Sequence, residues 1–300
     1  MLNRPRALTP LFFTLLLGVP AAMRENIPVV GLNHLTLVPD SATFAAIEKS
    51  AFLRDTFALF APSPSERSTG TGIALLGRST YVEFQPPAGG RAWTSSLALG
   101  TDEGGALRAV ARRLTSEVGA VRLDSLMRKR DSTVVPWLYQ VVASNARMDS
   151  ALAVQVVEYH PRFLRGWYGA TPAASTSVAR TRVLAMQATS VDSARRRYPF
   201  LDIVAIKVAA SGETENFLLA HCRAVGWRVQ PTIGGTACVG SDVRLFLVPI
   251  ASASSRRGVV AFTMRLASTA KLRGAEVRRF GNSTLRISRN GFATWEFGTA

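Results

Sequence analysis

The chain has 300 residues, of which 47% are hydrophobic and 19% charged, and a net charge of +16. This is the composition of a folded globular protein with length enough for two domains, and it excludes a disordered or fibrous chain. Lysine occurs only at Lys49, Lys129, Lys207 and Lys271, so the positive charge is almost all arginine. The arginines are scattered, with short runs at 128–130 and 195–197. No helix-turn-helix pattern, zinc-finger spacing or aromatic RNA-binding box accompanies them, so they read as a solvated surface and nucleic acid is not an expected partner. Attraction to an acidic partner is the functional alternative for such a surface.

The amino terminus has the pattern of an export signal. MLNRPR supplies positive charge, LTPLFFTLLLGV an apolar stretch, and VPAA the small residues of a cleavage region near Ala21 or Ala22. The apolar stretch is shorter than the ~20 residues of a spanning helix and contains Pro10. The expectation is a cleaved signal peptide over residues 1–22, an exported (periplasmic or extracellular) protein, and no membrane contact beyond the signal. Cys222 and Cys238 suit an oxidising compartment, as one disulfide or as two buried thiols.

From Pro28 the segment parses as strand, helix and three strands. VVGLNHLTLV is the first strand; a helix follows Pro39, with Asp40 or Ser41 as its cap, through ATFAAIEKSAFLRDTF. FALFAP, GTGIALLG and STYVEFQP read as strands separated by Pro, Ser and Gly signals. The order then repeats: strand TSSLALGT, a helix from Asp102 through EGGALRAVARRLTSEVG, and strands VRLDSLMRKR, VPWLYQVVAS and ALAVQVVEYHP. Aligning the ends of the two copies superposes Glu83 on Glu158, Gln85 on His160 and Pro86 on Pro161. After Pro161 the Gly-, Ala-, Ser- and Thr-rich run FLRGWYGATPAASTSVARTR reads as a linker. A third copy runs from DIVAIKVAA through the helix ETENFLLAHCRAVG to DVRLFLVPI. The fourth, from GVVAFTMRLA to FATWEFG, has a reduced connection in place of its helix. The expected domains are therefore 28–161, a linker at 162–199, and 200–300.

Within STYVEFQPP the two-residue period puts Tyr81, Glu83 and Gln85 on one face of their strand. A carboxylate on an inward face is costly unless it is paired, protonated or metal-bound.

This fourfold strand–helix–three-strand pattern, with GTGIALLGRSTYVEFQPP as its closest stretch, resembles the vicinal-oxygen-chelate superfamily of glyoxalases, extradiol dioxygenases and bleomycin-resistance proteins. The resemblance implies an α+β fold in which βαβββ units pair into half-open barrels, giving two tandem glyoxalase-like domains. It places metal ligands on the first and last strands of each unit. By position these are His34, Glu83 and Glu158, with His160 beside Glu158, while Ser96 stands where the superfamily often has a ligand. A mixed nitrogen and oxygen set of this kind suits zinc, iron, manganese or nickel. The metal would chelate two oxygens of a small substrate and stabilise an oxyanion, with Glu83 or Glu158 as general base. Tyr81, Gln85 and Ser96 would line the pocket. The missing ligand at Ser96 favours the alternative, a metal-free small-molecule binding protein like the bleomycin-resistance members. Such proteins complete a cup within one chain or across two. The matching positions of the second half, Ala205, Phe246, Phe262 and Glu296, leave one ionisable group. That half reads as a degenerate copy, with His221 as a packing residue.

Overall fold

A computed structural model describes residues 27–64, 71–87, 94–130, 133–143, 151–168, 179–192, 198–250, 256–267 and 275–298. The expected signal peptide lies outside these residues.

The first unit is β1 (Val30–Val38), α1 (Ser41–Glu48), β2 (Leu59–Pro64), β3 (Thr71–Leu76) and β4 (Tyr81–Phe84). Asp40 is the cap of α1, accepting from the Thr43 amide at 2.9 Å and the Thr43 hydroxyl at 2.8 Å. The helix ends at Lys49, and a π-helical turn over Leu53–Phe57 leads into β2. The second unit is β5 (Thr94–Thr101), α2 (Leu107–Val118), β6 (Val121–Arg130), β7 (Thr133–Ala143) and β8 (Leu152–Tyr159). The two units form one eight-stranded sheet, in the order β2-β3-β4-β1-β5-β8-β7-β6. In each unit the first and last strands pair in parallel, β1 with β4 and β5 with β8, and the units join through the antiparallel pair β1–β5.

The second sheet has the same plan. Its strands are β9 (Phe200–Ala210), β10 (Arg228–Thr232), β11 (Gly235–Val239), β12 (Arg244–Pro249), β13 (Gly258–Leu266), β14 (Glu276–Phe280), β15 (Ser283–Ile287) and β16 (Phe292–Phe297). Their order is β10-β11-β12-β9-β13-β16-β15-β14. The helix of the third unit is α5 (Gly212–Ala224), and a Cys222–Cys238 disulfide ties it to β11.

The fourth unit departs from the others in strand direction: β13 and β16 pair antiparallel. Parallel neighbours need a crossover of a dozen or more residues, usually a helix. Only the nine residues 267–275 separate β13 from β14. The chain therefore turns straight back, and the last three strands all run opposite to their counterparts.

One face of each sheet packs against the other domain, with α1, α2 and α5 between them. A single cluster of buried apolar side chains runs through both halves, from Leu35 and Phe84 to Phe262 and Trp295. The rings of Phe84 and Trp295 lie 5.1 Å apart across the boundary, and Phe57 stacks on Phe200 at 6.2 Å. Polar contacts add to this: the Trp227 indole donates to the Val30 carbonyl, and Asp202 accepts from the Ser79 amide and hydroxyl. The segment expected as a linker contains α3 (Pro161–Tyr168) and α4 (Arg180–Val191). Both helices pack on the opposite, cup-like face of the first sheet, through Phe163 and Leu164 of α3 and Val183 and Leu184 of α4. Among the described residues no helix is long and apolar enough to cross a membrane.

Candidate functional site

Strand register decides which side chains share the cup of the first sheet. His34 lies opposite Tyr81 and Ala98, and Thr36 opposite Glu83 and Ser96, so these six share one face. Across β5, Ala98 pairs with Gln155 and Gly100 with Val157, which brings Gln155, Val157 and Tyr159 to the same face. His34, Glu83, Tyr81, Gln85 and Ser96 thus converge on one surface.

Glu158 does not. It lies between Val157 and Tyr159 on β8 and points to the helix side, where its carboxylate accepts from the amides of Gly105 (2.9 Å) and Leu107 (3.1 Å). These are orphan donors at the start of α2, where Ala106 offers no side-chain cap, so Glu158 caps the helix from a neighbouring strand. Asp102, where the helix was expected to begin, lies ahead of α2 and binds Arg180. His160 also lies away from the cup. Its ring rests on Tyr139, the register partner of Glu158, and its Nδ1 accepts from the Arg162 amide at 3.1 Å.

The end of the cup near His34 is closed. His34 is 4% exposed, stacked on Tyr81 at 4.6 Å and facing Trp137 at 6.3 Å, with Nδ1 hydrogen-bonded to Asn33 Oδ1. Burial lowers its pKa to about 3, so the ring is neutral at physiological pH. Burial also raises the Tyr81 phenol, and the nearby Tyr159 and Glu83 push it the same way. Arg128 lies 5.1 Å from the centre of the Trp137 ring. Leu184 of α4 packs on the Tyr81 side and Phe163 and Val183 on the Tyr159 side, covering this end with the chain's own helices.

The other end is more open, with Thr36, Glu83, Gln85, Ser96 and Gln155 all half-buried. Glu83 accepts from the Thr36 hydroxyl at 3.1 Å and, through a short bond, from the Ser63 hydroxyl. The Gln85 side chain lies against Gly72, where a Cβ would fall 2.7 Å from its amide nitrogen. Its amide oxygen is buried and has no hydrogen-bond partner among the described residues.

These residues do not fit a metal centre. Of the four expected ligands only His34 and Glu83 share the cup, and the His34 ring is taken up by stacking and by Asn33. Among the described residues no three His, Cys, Asp or Glu side chains come together as a ligand set. The second half differs again. Phe262 lies in the core beside Trp295 and Phe297, Ala205, Phe246 and Glu296 are on the open face, and Glu296 pairs with Arg286 at 3.1 Å. His221 is buried, with its ring on Phe217 and Nδ1 at the Phe217 carbonyl.

The residues that sequence reasoning missed are Thr36, Ser63, Trp137 and Arg180. Thr36 was within reach, since it lies two residues from His34 on the same strand face. Ser63 arrives from the edge strand β2 and Trp137 from β7, next to the other edge, and no local pattern marks them.

Two tandem domains, each an open eight-stranded sheet, with the strand–helix–three-strand order kept in three of the four units, make this a protein of glyoxalase-like fold. The chain belongs to a family of unknown function, DUF5829, whose model matches residues 32–297. No curated protein matches it. Among solved structures it is similar to a hypothetical protein from Staphylococcus aureus, at 10% identity and a TM-score of 0.54, over 86% of this chain and 98% of that one. It is also similar to the Mn(II)-bound glyoxalase from Novosphingobium aromaticivorans, at 13% identity and a TM-score of 0.48, over 91% and 85% of the two chains. A halotolerant catechol dioxygenase, BphC, matches at 7% identity and a TM-score of 0.44, over 88% and 84%. These likenesses are of fold.

Proposed function

We propose that this protein is an exported, metal-free binding protein that takes a small hydrogen-bond-donating molecule at the open end of the first cup. The observation that carries this reading is the buried amide oxygen of Gln85, which has no hydrogen-bond partner among the described residues and stands two residues from Glu83. A buried acceptor left unpaired costs about 1–3 kcal/mol, which a donor on a ligand recovers. Glu83, oriented by Thr36 and Ser63, supplies a carboxylate beside it. Two acceptors next to each other suit an amine or a polyol. The metal-enzyme reading is disfavoured by its ligands, because Glu158 and His160 serve the other side of the sheet. Export is supported by the pattern of the first residues and by the Cys222–Cys238 disulfide, which suits an oxidising compartment.

The test is calorimetric titration with a panel of small amines and polyols, alongside elemental analysis of protein made without a metal-affinity tag. A ligand bound by the parent and weakened roughly tenfold by Glu83→Gln or Gln85→Leu is expected. A stoichiometric transition metal that disappears in His34→Ala and Glu83→Ala variants would overturn the reading.

A further inference from the structure

The corresponding face of the second sheet is open. The first sheet's cup is covered by α3 and α4, whereas among the described residues no element packs on the outer face of β9–β16, and its charged side chains are exposed. One rung across this face carries Arg228 on β10, Arg244 on β12 and Arg286 on β15. The adjacent rung carries Lys207 on β9, Glu296 on β16 and Arg279 on β14. Glu296 is the one carboxylate on these two rungs, and it is used by Arg286. Lys207, Arg228, Arg244 and Arg279 have no carboxylate partner among the described residues. On β9, β13 and β16 the floor is made of the small side chains of Ala205, Ala261, Thr263 and Thr294, and the half-buried Phe246 lies beside Lys207. Val277 (56% exposed) and Phe292 (38% exposed) share the face.

We propose that this face docks an acidic protein surface, with Lys207, Arg228 and Arg244 binding its carboxylates. Arginine pairs bidentately with carboxylate. Arginines mixed with exposed apolar side chains are the composition of a protein interface. A single-stranded nucleic acid would call for a row of exposed aromatic rings for its bases, and this face has one well-exposed ring, Phe292. A small anion would engage only part of this set, because Lys207, Arg228, Arg244 and Arg279 are spread over β9, β10, β12 and β14, of which β10 and β14 are the two edge strands. This proposal is independent of the ligand in the first cup.

The experiment measures binding of the disulfide-intact protein to poly-L-glutamate and to a single-stranded DNA oligonucleotide of matched charge, at low and physiological salt. Poly-L-glutamate should bind, more weakly as salt rises, and Lys207→Glu/Arg244→Glu should weaken it about tenfold or more. The control Arg108→Glu/Arg162→Glu makes the same change in net charge on exposed residues of the first domain, and it should stay within about twofold of the parent. If the reversed pair does not fold, Lys207→Gln/Arg244→Gln replaces it and should show a smaller loss in the same direction. The proposal is overturned by any of three results: no binding of poly-L-glutamate, an equal loss in the control, or a clear preference for DNA that the same variant abolishes.

Discussion

Arg180, at the start of α4, donates to Asp242 of the second domain at 2.8 Å. The same guanidinium donates to Asp102 of the first domain at 2.9 Å and, through a short bond, to the Leu32 carbonyl. Asp242 in turn accepts from the Leu32 amide at 3.2 Å. Space is reserved for this cluster, since a Cβ on Gly31 would collide with both the Arg180 guanidinium and Asp242. Arg180 is 5% exposed, so the pair of carboxylates holds a buried cation. Burial raises the Asp102 carboxyl, and the Arg180 hydrogen bonds outweigh it and leave the group below its ordinary value. Removing one partner of such a cluster leaves uncompensated charge. Arg180→Leu should cost about 3–5 kcal/mol in denaturant unfolding. A loss under about 1 kcal/mol would mean that Arg180 does not clamp the domains.

Glu158 should behave as a helix cap. Glu158→Ala removes the acceptor for the Gly105 and Leu107 amides and should destabilise the protein by about 1–2 kcal/mol. Hydrogen exchange should quicken first in the opening turn of α2. Ligand binding in the first cup should be unchanged, because the side chain lies on the opposite face. Loss of binding with stability intact would place Glu158 in the site after all.

The contrast between Glu83 and Glu158 shows what the sequence carried and what it left out. Alternating strand residues and Pro and Gly punctuation were enough to read three strand–helix–three-strand units and the face of Glu83. Glu158 follows the same local pattern, yet a one-residue difference in register moves a side chain to the other face of the sheet. That register is set by pairing with β5 and β7, which local sequence does not encode. The helix α4 was hidden for a related reason. Ala179 gives it no side-chain cap, and its place is fixed by Arg180 and by packing on the cup. The reversed strands of the fourth unit were within reach, since nine residues between β13 and β14 leave little room for a crossover helix.

The disulfide should contribute to stability through the chain it closes. Cys222 and Cys238 are 16 residues apart and join α5 to β11 in the shared core. A loop of that size corresponds to about 3 kcal/mol of restricted unfolded-state entropy. Cys222→Ala/Cys238→Ala should lower the unfolding free energy by roughly that amount, and a reductant should shift the parent in the same direction. A parent indifferent to reductant under conditions where both thiols become titratable would remove the disulfide from the stability account.

Acid should unfold this protein from above the carboxylate range, through its buried histidines. Burial lowers His34 to about 3 and His221 to about 4, the latter despite the hydrogen bond at the Phe217 carbonyl. In the unfolded chain both should titrate near the ordinary histidine value of about 6.5. Below that value the unfolded state binds protons that the folded state refuses, so stability is complete above it and falls as the pH drops toward the folded values. Each histidine contributes a slope of at most about 1.4 kcal/mol per pH unit within its window. The unfolding midpoint should therefore be flat above about pH 7 and fall steeply between about pH 6 and 4. His34→Gln should be less stable at neutral pH, having lost its stacking on Tyr81, and should also show a shallower acid slope. An unchanged slope in both His34→Gln and His221→Gln would assign the acid sensitivity to the carboxylates alone.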